Sequence, residues 1–184
     1  GKIVSTGGLK PGDEIVMTKW AGLEGTSIIA AEKEEKLLET LPRELVDVAK
    51  GFKEYLSVIP ESKIAMEVGV SAMHDATEGG VFGALWELGE ASGVGITAHL
   101  DKIPIKQETI EVCEVFKINP YMLISSGSMM IGCEKGNLLV EKLEEAGINA
   151  AVIGRATEGN DRIVVSRDET RYIGPAGSDE LYKI

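Results

Sequence analysis

The chain has 184 residues, enough for one domain with a sizeable core. Hydrophobic residues make up 43% and charged residues 27%, an ordinary globular composition. The balance of 19 basic against 30 acidic side chains leaves a net charge of −11, which opposes non-specific nucleic-acid binding because phosphates are repelled.

Gly7-Gly8-Leu9-Lys10-Pro11-Gly12-Asp13 is turn chemistry, and Glu14 to Thr18 reads as a short strand. A helix starts around Gly22 and runs to Ala31, followed by a charged surface helix over Glu32 to Leu41. After Pro42, Leu45, Val48, Ala49, Phe52 and Leu56 recur at helical spacing. Glu61 to Val68 is a further helix that stops at Gly69, and Val70 to Met73 reads as a buried strand before a glycine-bearing turn. Val81 to Ser92 is a helix with Leu85, Leu88 and Ala91 facing inward, closed by Gly93. Val94, Ile96, Ala98 and Leu100 alternate with small or polar residues, the period of a half-buried strand. A helix over Thr109 to Phe116, a strand over Met129 to Cys133 and a helix over Asn137 to Ala146 come next. Ala150 to Arg155 and Arg162 to Arg167 then flank Gly159-Asn160-Asp161 as a hairpin, with Thr170 to Ile173 as a third strand. Alternating strands and helices followed by a β-rich end predict a mixed sheet covered by helices.

Cys113 and Cys133 have no CxxC spacing and no histidine cluster beside them, so reduced core thiols are the expectation. No apolar run is long enough to span a bilayer and no signal segment opens the chain, which makes the cytoplasm the default location and gives no membrane partner. The opening Gly1-Lys2-Ile3, without an initiator methionine, suits a fragment or processed form.

Three stretches carry candidate chemistry. Met73-His74-Asp75-Ala76-Thr77-Glu78-Gly79-Gly80 joins a predicted strand to a helix, at the strand end where α/β sheets bind ligands. Its glycines allow close backbone approach, and the unpaired N–H groups of the following helix suit a phosphate. Asp75 and Glu78 are candidate Mg²⁺ ligands, because hard cations prefer carboxylate oxygens, and His74 is a candidate proton carrier. The competing structural reading makes Thr77 a helix cap, Gly79 and Gly80 packing glycines and His74 a donor to a carbonyl. The second stretch, Trp20 to Thr26, offers Glu24 and Thr26 to a ligand or else caps its helix, with Trp20 packed in the core or on an interface. The third, Ser125-Ser126-Gly127-Ser128, offers Ser126 and Gly127 to an anion or is an ordinary turn. His99 lies on the polar side of its strand, and Glu32, Glu34, Glu35 and Glu39 read as a solvated helix face.

Asp75, Thr77, Gly79 and Gly80 followed by Glu90-Ala91-Ser92-Gly93-Val94-Gly95 resemble the hydrogenase-maturation carbamoyl-dehydratase family, HypE, within the aminoimidazole-ribonucleotide-synthase superfamily. Ile103-Pro104-Ile105, Asn119-Pro120 and Gly154 before Thr157-Glu158 resemble further elements of that family, and the resemblance runs from Gly12-Asp13 to the last residues. It implies an α/β (α+β) fold, the three-layer α/β/α C-terminal domain with a mixed sheet, with residues 1–184 as that one domain. It also implies use of ATP and Mg²⁺ to phosphorylate an amide- or carbonyl-type oxygen, with most ATP contacts supplied by an N-terminal domain outside this chain. The implied partners are that N-terminal domain, a second copy of the full-length protein and hydrogenase-maturation proteins. Three departures mark a HypE-like paralogue with an unassigned substrate. The last residues Leu181-Tyr182-Lys183-Ile184 lack the family's terminal cysteine, Glu78 replaces an Arg, and Ser125-Ser126-Gly127 replaces an Asn-Glu-Gly-like turn. The alternative reading is a non-catalytic assembly or partner-binding module in metallocentre maturation.

Overall fold

In a computed structural model that describes residues 5–184, seven strands form one sheet in the order β2-β4-β1-β5-β3-β6-β7. The strands are β1 (Glu14–Thr18), β2 (Ala72–Asp75), β3 (Gly95–His99), β4 (Met129–Cys133), β5 (Ala150–Thr157), β6 (Arg162–Ser166) and β7 (Glu169–Tyr172). The helices are α1 (Leu23–Glu32), α2 (Glu34–Leu38), α3 (Arg43–Lys50), α4 (Ile59–Val68), α5 (Gly80–Ser92), α6 (Gln107–Phe116) and α7 (Gly136–Glu145). All pairings are antiparallel except β3 with β6, so the sheet is mixed, and β1, β2, β3 and β6 point to the same edge.

Strand alternation creates the layers. Ile15 and Met17 enter one core with Val81, Leu85 and Leu88 of α5, while Val16 between them enters a second core with Ala65 of α4 and Leu139 and Leu143 of α7. Helix α5 therefore covers one face and α4 with α7 the other, the three-layer arrangement expected. A third core, built from Ile29, Val46, Ala49, Val112, Cys113 and Leu123, joins α1, α3 and α6.

Four expectations are corrected. Strand β2 begins two residues later than Val70, because its ladder with β4 runs through Asp75 opposite Met129; His74 and Asp75 belong to the strand rather than the turn. In α3 the inward face is Val46 and Ala49, and Val48 is half exposed. In α5 Ala84, not Ala91, completes the buried face with Leu85 and Leu88. Strands β5 and β6 do not form a hairpin, since β3 lies between them. The Gly159 turn instead wraps the start of β3, where Ile96 N–H donates to Asp161 O at 2.9 Å. Gly95 permits this closure: a Cβ there would stand 2.5 Å from Thr157 Oγ1 and 2.8 Å from Asp161 O. The true hairpin is β6–β7, turning through Arg167-Asp168.

Candidate functional site

The three stretches singled out above meet at the edge where β1 and β2 end and β4 begins. Ala76 N–H donates to Ser128 O at 2.9 Å and Ser125 N–H to Thr77 O at 3.2 Å, tying the β2 turn to the Ser125–Ser128 turn. Gly22 N–H donates to Ser125 Oγ at 2.8 Å and Ser128 Oγ to Trp20 O at 2.7 Å, tying the β1 turn to the same residues. Ser125 and Ser128 are fully buried, so their hydroxyls are joints between turns and not ligand contacts. Ser126 is half-buried; Gly127 is buried, and its carbonyl accepts from Lys19 Nζ at 3.1 Å.

His74, Asp75 and Thr77 share one open cleft of about 320 Å³ with Thr6, Met73 and Met129. Asp75 and Thr77 are exposed; the half-buried His74 ring meets Thr6 Oγ1 through Nδ1 at 3.2 Å. Alternation places His74 and Asp75 on opposite faces of this edge strand, so they approach a common ligand only around its end. Glu78 is exposed and its carboxylate accepts from Tyr182 Oη at 2.9 Å, a bond that holds the phenol above its ordinary pKa.

The two glycines behave differently from the sequence expectation. Gly79 N–H is not free: it donates to Asp179 Oδ2 at 2.7 Å, while Asp179 Oδ1 accepts from Ile124 and Leu181 N–H at 3.0 Å. A buried carboxylate from the end of the described chain thus occupies the donor position reserved for a phosphate. Gly80 faces protein backbone, for a Cβ would lie 2.6 Å from Tyr121 O and 2.7 Å from Leu123 O. A larger residue at 80 would disturb the fold before it met any ligand.

In the β1 turn, Thr26 is fully buried and its hydroxyl donates to Thr109 Oγ1 at 3.1 Å, pointing it at α6. Glu24 is half-buried, with Oε2 buried and without a hydrogen-bond partner among the described residues. Trp20 stands edge-on to Tyr55 at 5.4 Å, with Lys106 Nζ 4.0 Å from its ring centre.

The sequence reading missed the residue that fastens this edge. Lys19, with a left-handed φ of 57°, sends its ammonium inward to Ser57 O at 2.6 Å, Tyr55 O at 2.9 Å and Gly127 O at 3.1 Å. It pairs with the fully buried Glu61 at 3.1 Å, which also accepts from Thr18 Oγ1 at 2.8 Å. The positive φ just after a strand has no composition signal, and Glu61 looks like any surface helix acid in sequence.

For a metal, Asp75 and Glu78 offer two carboxylates, and no group of three or more His, Cys, Asp or Glu gathers among the described residues. Carboxylate oxygens are the donors Mg²⁺ prefers, with phosphates and water completing its shell; Asp75 lines the cleft, while Glu78 accepts from Tyr182 Oη outside it. Both thiols are buried: burial first, then the nearby Glu180 carboxylate, pushes Cys113 up to about 12, and burial pushes Cys133 up to about 11. No described helix is long and apolar enough to cross a membrane.

Residues 10–166 match the family described as AIR synthase related protein, C-terminal domain. Among curated relatives, a provisionally named hydrogenase expression/formation protein of Methanocaldococcus jannaschii is 30% identical, over 90% of this chain and 48% of its own length. The carbamoyl dehydratase HypE of Rhodobacter capsulatus is 23% identical, over 85% of this chain and 45% of its own. A solved hydrogenase maturation protein HypE in complex with ATP superposes with a TM-score of 0.74 at 16% identity, covering 97% of this chain and 55% of that one. The chain thus spans about half the length of these relatives.

Proposed function

The chain belongs to the AIR synthase related family as its C-terminal domain, and from that premise we propose that it is part of an ATP-dependent, HypE-like enzyme that phosphorylates an amide- or carbonyl-type oxygen. In that reaction the oxygen attacks the γ-phosphorus of ATP, ADP departs, and the new phosphate ester makes the oxygen a leaving group. The observation that carries the reading is the cleft at the end of β2, lined by His74 and Asp75 of the strand and by Thr77 of the turn that follows it. Asp75 and Glu78 would hold Mg²⁺ on the phosphates, Thr77 would donate to a phosphate oxygen and His74 would move the proton of the acceptor. Ser126 and Glu24, half-buried on the neighbouring turns, are further candidates for contact.

On this reading ATP is held mainly by an N-terminal domain of the full-length protein. The partners are that domain, a second copy of the chain and hydrogenase-maturation proteins, and the setting is the cytoplasm. A net charge of −11 and the Asp179 carboxylate on Gly79 N–H both disfavour nucleotide binding by this chain alone. Calorimetry of the 184-residue chain with Mg-ATP is expected to show no dissociation constant below about 1 mM. Occupation of Gly79 N–H by Asp179 also favours a second reading, a non-catalytic assembly module. Mg²⁺-dependent ATP hydrolysis by the full-length protein separates the two. Asp75→Asn is expected to lower it by about a hundredfold or more with an unchanged thermal melt. Absence of hydrolysis in the unaltered protein would leave the assembly reading standing, whereas undiminished turnover in a folded Asp75→Asn protein would put the site elsewhere in the enzyme.

A further inference from the structure

The two edges of the sheet are finished differently. At the β2 edge the incoming chain lies alongside, with Ser5 O accepting Met73 N–H at 3.2 Å. At the other edge, all four residues of β7 are exposed. The pairing of β7 with β6 fixes which of its backbone groups point outward, because antiparallel partners alternate between hydrogen-bonded and non-hydrogen-bonded pairs. Ile173 N–H donates to Arg162 O at 2.8 Å, so Arg171 and Glu169, two and four residues back, also turn their backbone groups to β6, opposite Val164 and Ser166. Thr170 and Tyr172 therefore turn theirs away from β6, and neither N–H has a hydrogen-bond partner among the described residues.

The side chains on this edge are self-complementary. Glu169 and Arg171 share the face toward α5, where the Arg171 guanidinium carbon lies 5.3 Å from the Phe82 ring centre. Neither forms an ion pair among the described residues. Thr170 and the 69% exposed Tyr172 share the opposite face. Charges on an edge strand ordinarily deter a second strand. Here the two charges differ in sign and stand two residues apart on one face, which favours a second β7 running antiparallel. With Thr170 opposite the partner's Thr170, Glu169 of each copy stands opposite Arg171 of the other, and each outward Thr170 N–H meets the other's carbonyl. A one-residue shift would set outward groups against inward ones, and a centre at Tyr172 would leave the charges unpaired. Backbone parity and charge thus select the same register.

We propose that β7 is a docking edge for a second copy of this chain, joined antiparallel about Thr170 by two backbone hydrogen bonds and two Glu169–Arg171 ion pairs. An edge of four residues buries far less than the roughly 1,200 Å² of a stable interface, so the pairing is reversible, with a dissociation constant of about 1 mM. It gives a surface to the second copy named under Proposed function, while the backbone and charge argument does not rest on that reading.

The test is an amide-shift dilution series of the 184-residue chain, starting from about 1 mM. Shifts at residues 168–173 are expected to move with concentration while those at 74–80 stay fixed. Arg171→Glu and Glu169→Arg, each alone, set like charges across the axis and are expected to remove the concentration dependence while β6 and β7 stay paired. Mixing the two variants restores opposite signs in both pairs, so labelled Arg171→Glu protein is expected to regain the shifts when unlabelled Glu169→Arg protein is added. Thr170→Pro removes an outward N–H that β6 does not use and is expected to abolish association. The proposal would be overturned by concentration-independent shifts in the unaltered chain, or by movement only outside residues 168–173. Single variants that associate like the parent, or a mixture no different from its components, would overturn it equally. Because no ATP is present, failure here leaves the Asp75→Asn turnover test untouched, and failure of that test leaves this series readable.

Discussion

Two segments of this molecule follow the same local plan. Strand β1 runs through a left-handed glycine, Gly22 with φ 69°, into α1; strand β2 runs through Gly79, with φ 85°, into α5. Neither helix has a side-chain cap from its own N-cap residue, so each borrows acceptors from elsewhere. At α1 they come from the body of the domain: Ser125 Oγ takes Gly22 N–H and Ile124 O takes Gly25 N–H. At α5 the acceptor is Asp179, about a hundred residues later in the chain. The threonines follow suit, Thr26 being fully buried and Thr77 exposed. A strand-glycine-helix pattern therefore specifies a turn with donors to satisfy, and the rest of the chain decides whether that turn becomes a joint or a face.

The largest expected effect breaks the joint. Lys19→Met leaves the buried Glu61 carboxylate without its cation, which should cost about 3–5 kcal/mol in urea unfolding. Adding Glu61→Leu should restore most of that loss, and an uncorrected double variant would contradict the pairing. Next, Gly80→Ala should cost about 3 kcal/mol, since its Cβ meets two carbonyl oxygens at a left-handed φ of 68°. Gly22→Ala should cost roughly half as much, because the contacts there are 3.2 Å. Asp179→Ala should cost about 2 kcal/mol by orphaning buried N–H groups, and should speed hydrogen exchange at Gly79 while leaving Gly22 unchanged. The smallest effect is a silence. At pH 8 neither Cys113 nor Cys133 should react with iodoacetamide until urea exposes them, because both thiols titrate near 11 to 12 in the fold. Their raised values favour the protonated folded state, so this contribution is complete below an ordinary thiol pKa of 9.0. It is lost as pH rises toward 11 for Cys133 and 12 for Cys113.

Much of the architecture was legible because it is periodic. Glu14–Thr18 and Met129–Cys133 fall where alternation and apolar runs place them, and Gly69 and Gly93 stop their helices as expected. What escaped depends on partners distant in sequence. The insertion of β3 between β5 and β6 defeats a hairpin reading that is locally sound, because the Gly159 turn reverses the chain in either case. The same holds at the site. Residues 73–80 could be chosen from their types, but Gly80's role is set by Tyr121 and Leu123, Thr26's by Thr109, and Gly79's by Asp179. Lys19 and Glu61 are invisible for the opposite reason, since lone charged residues read as surface until a fold encloses them.

The central claim is that Thr77 of the α5 turn faces a ligand and Thr26 of the α1 turn does not. Its most direct test is ATP turnover by the full-length protein carrying Thr77→Val or Thr26→Val, each with a thermal melt alongside. Thr77→Val should slow turnover by about tenfold or more with an unchanged melt, whereas Thr26→Val should lower the melting temperature and leave the rate per folded molecule intact. A folded Thr77→Val protein with full turnover, beside a Thr26→Val protein that is stable but slow, would contradict the account.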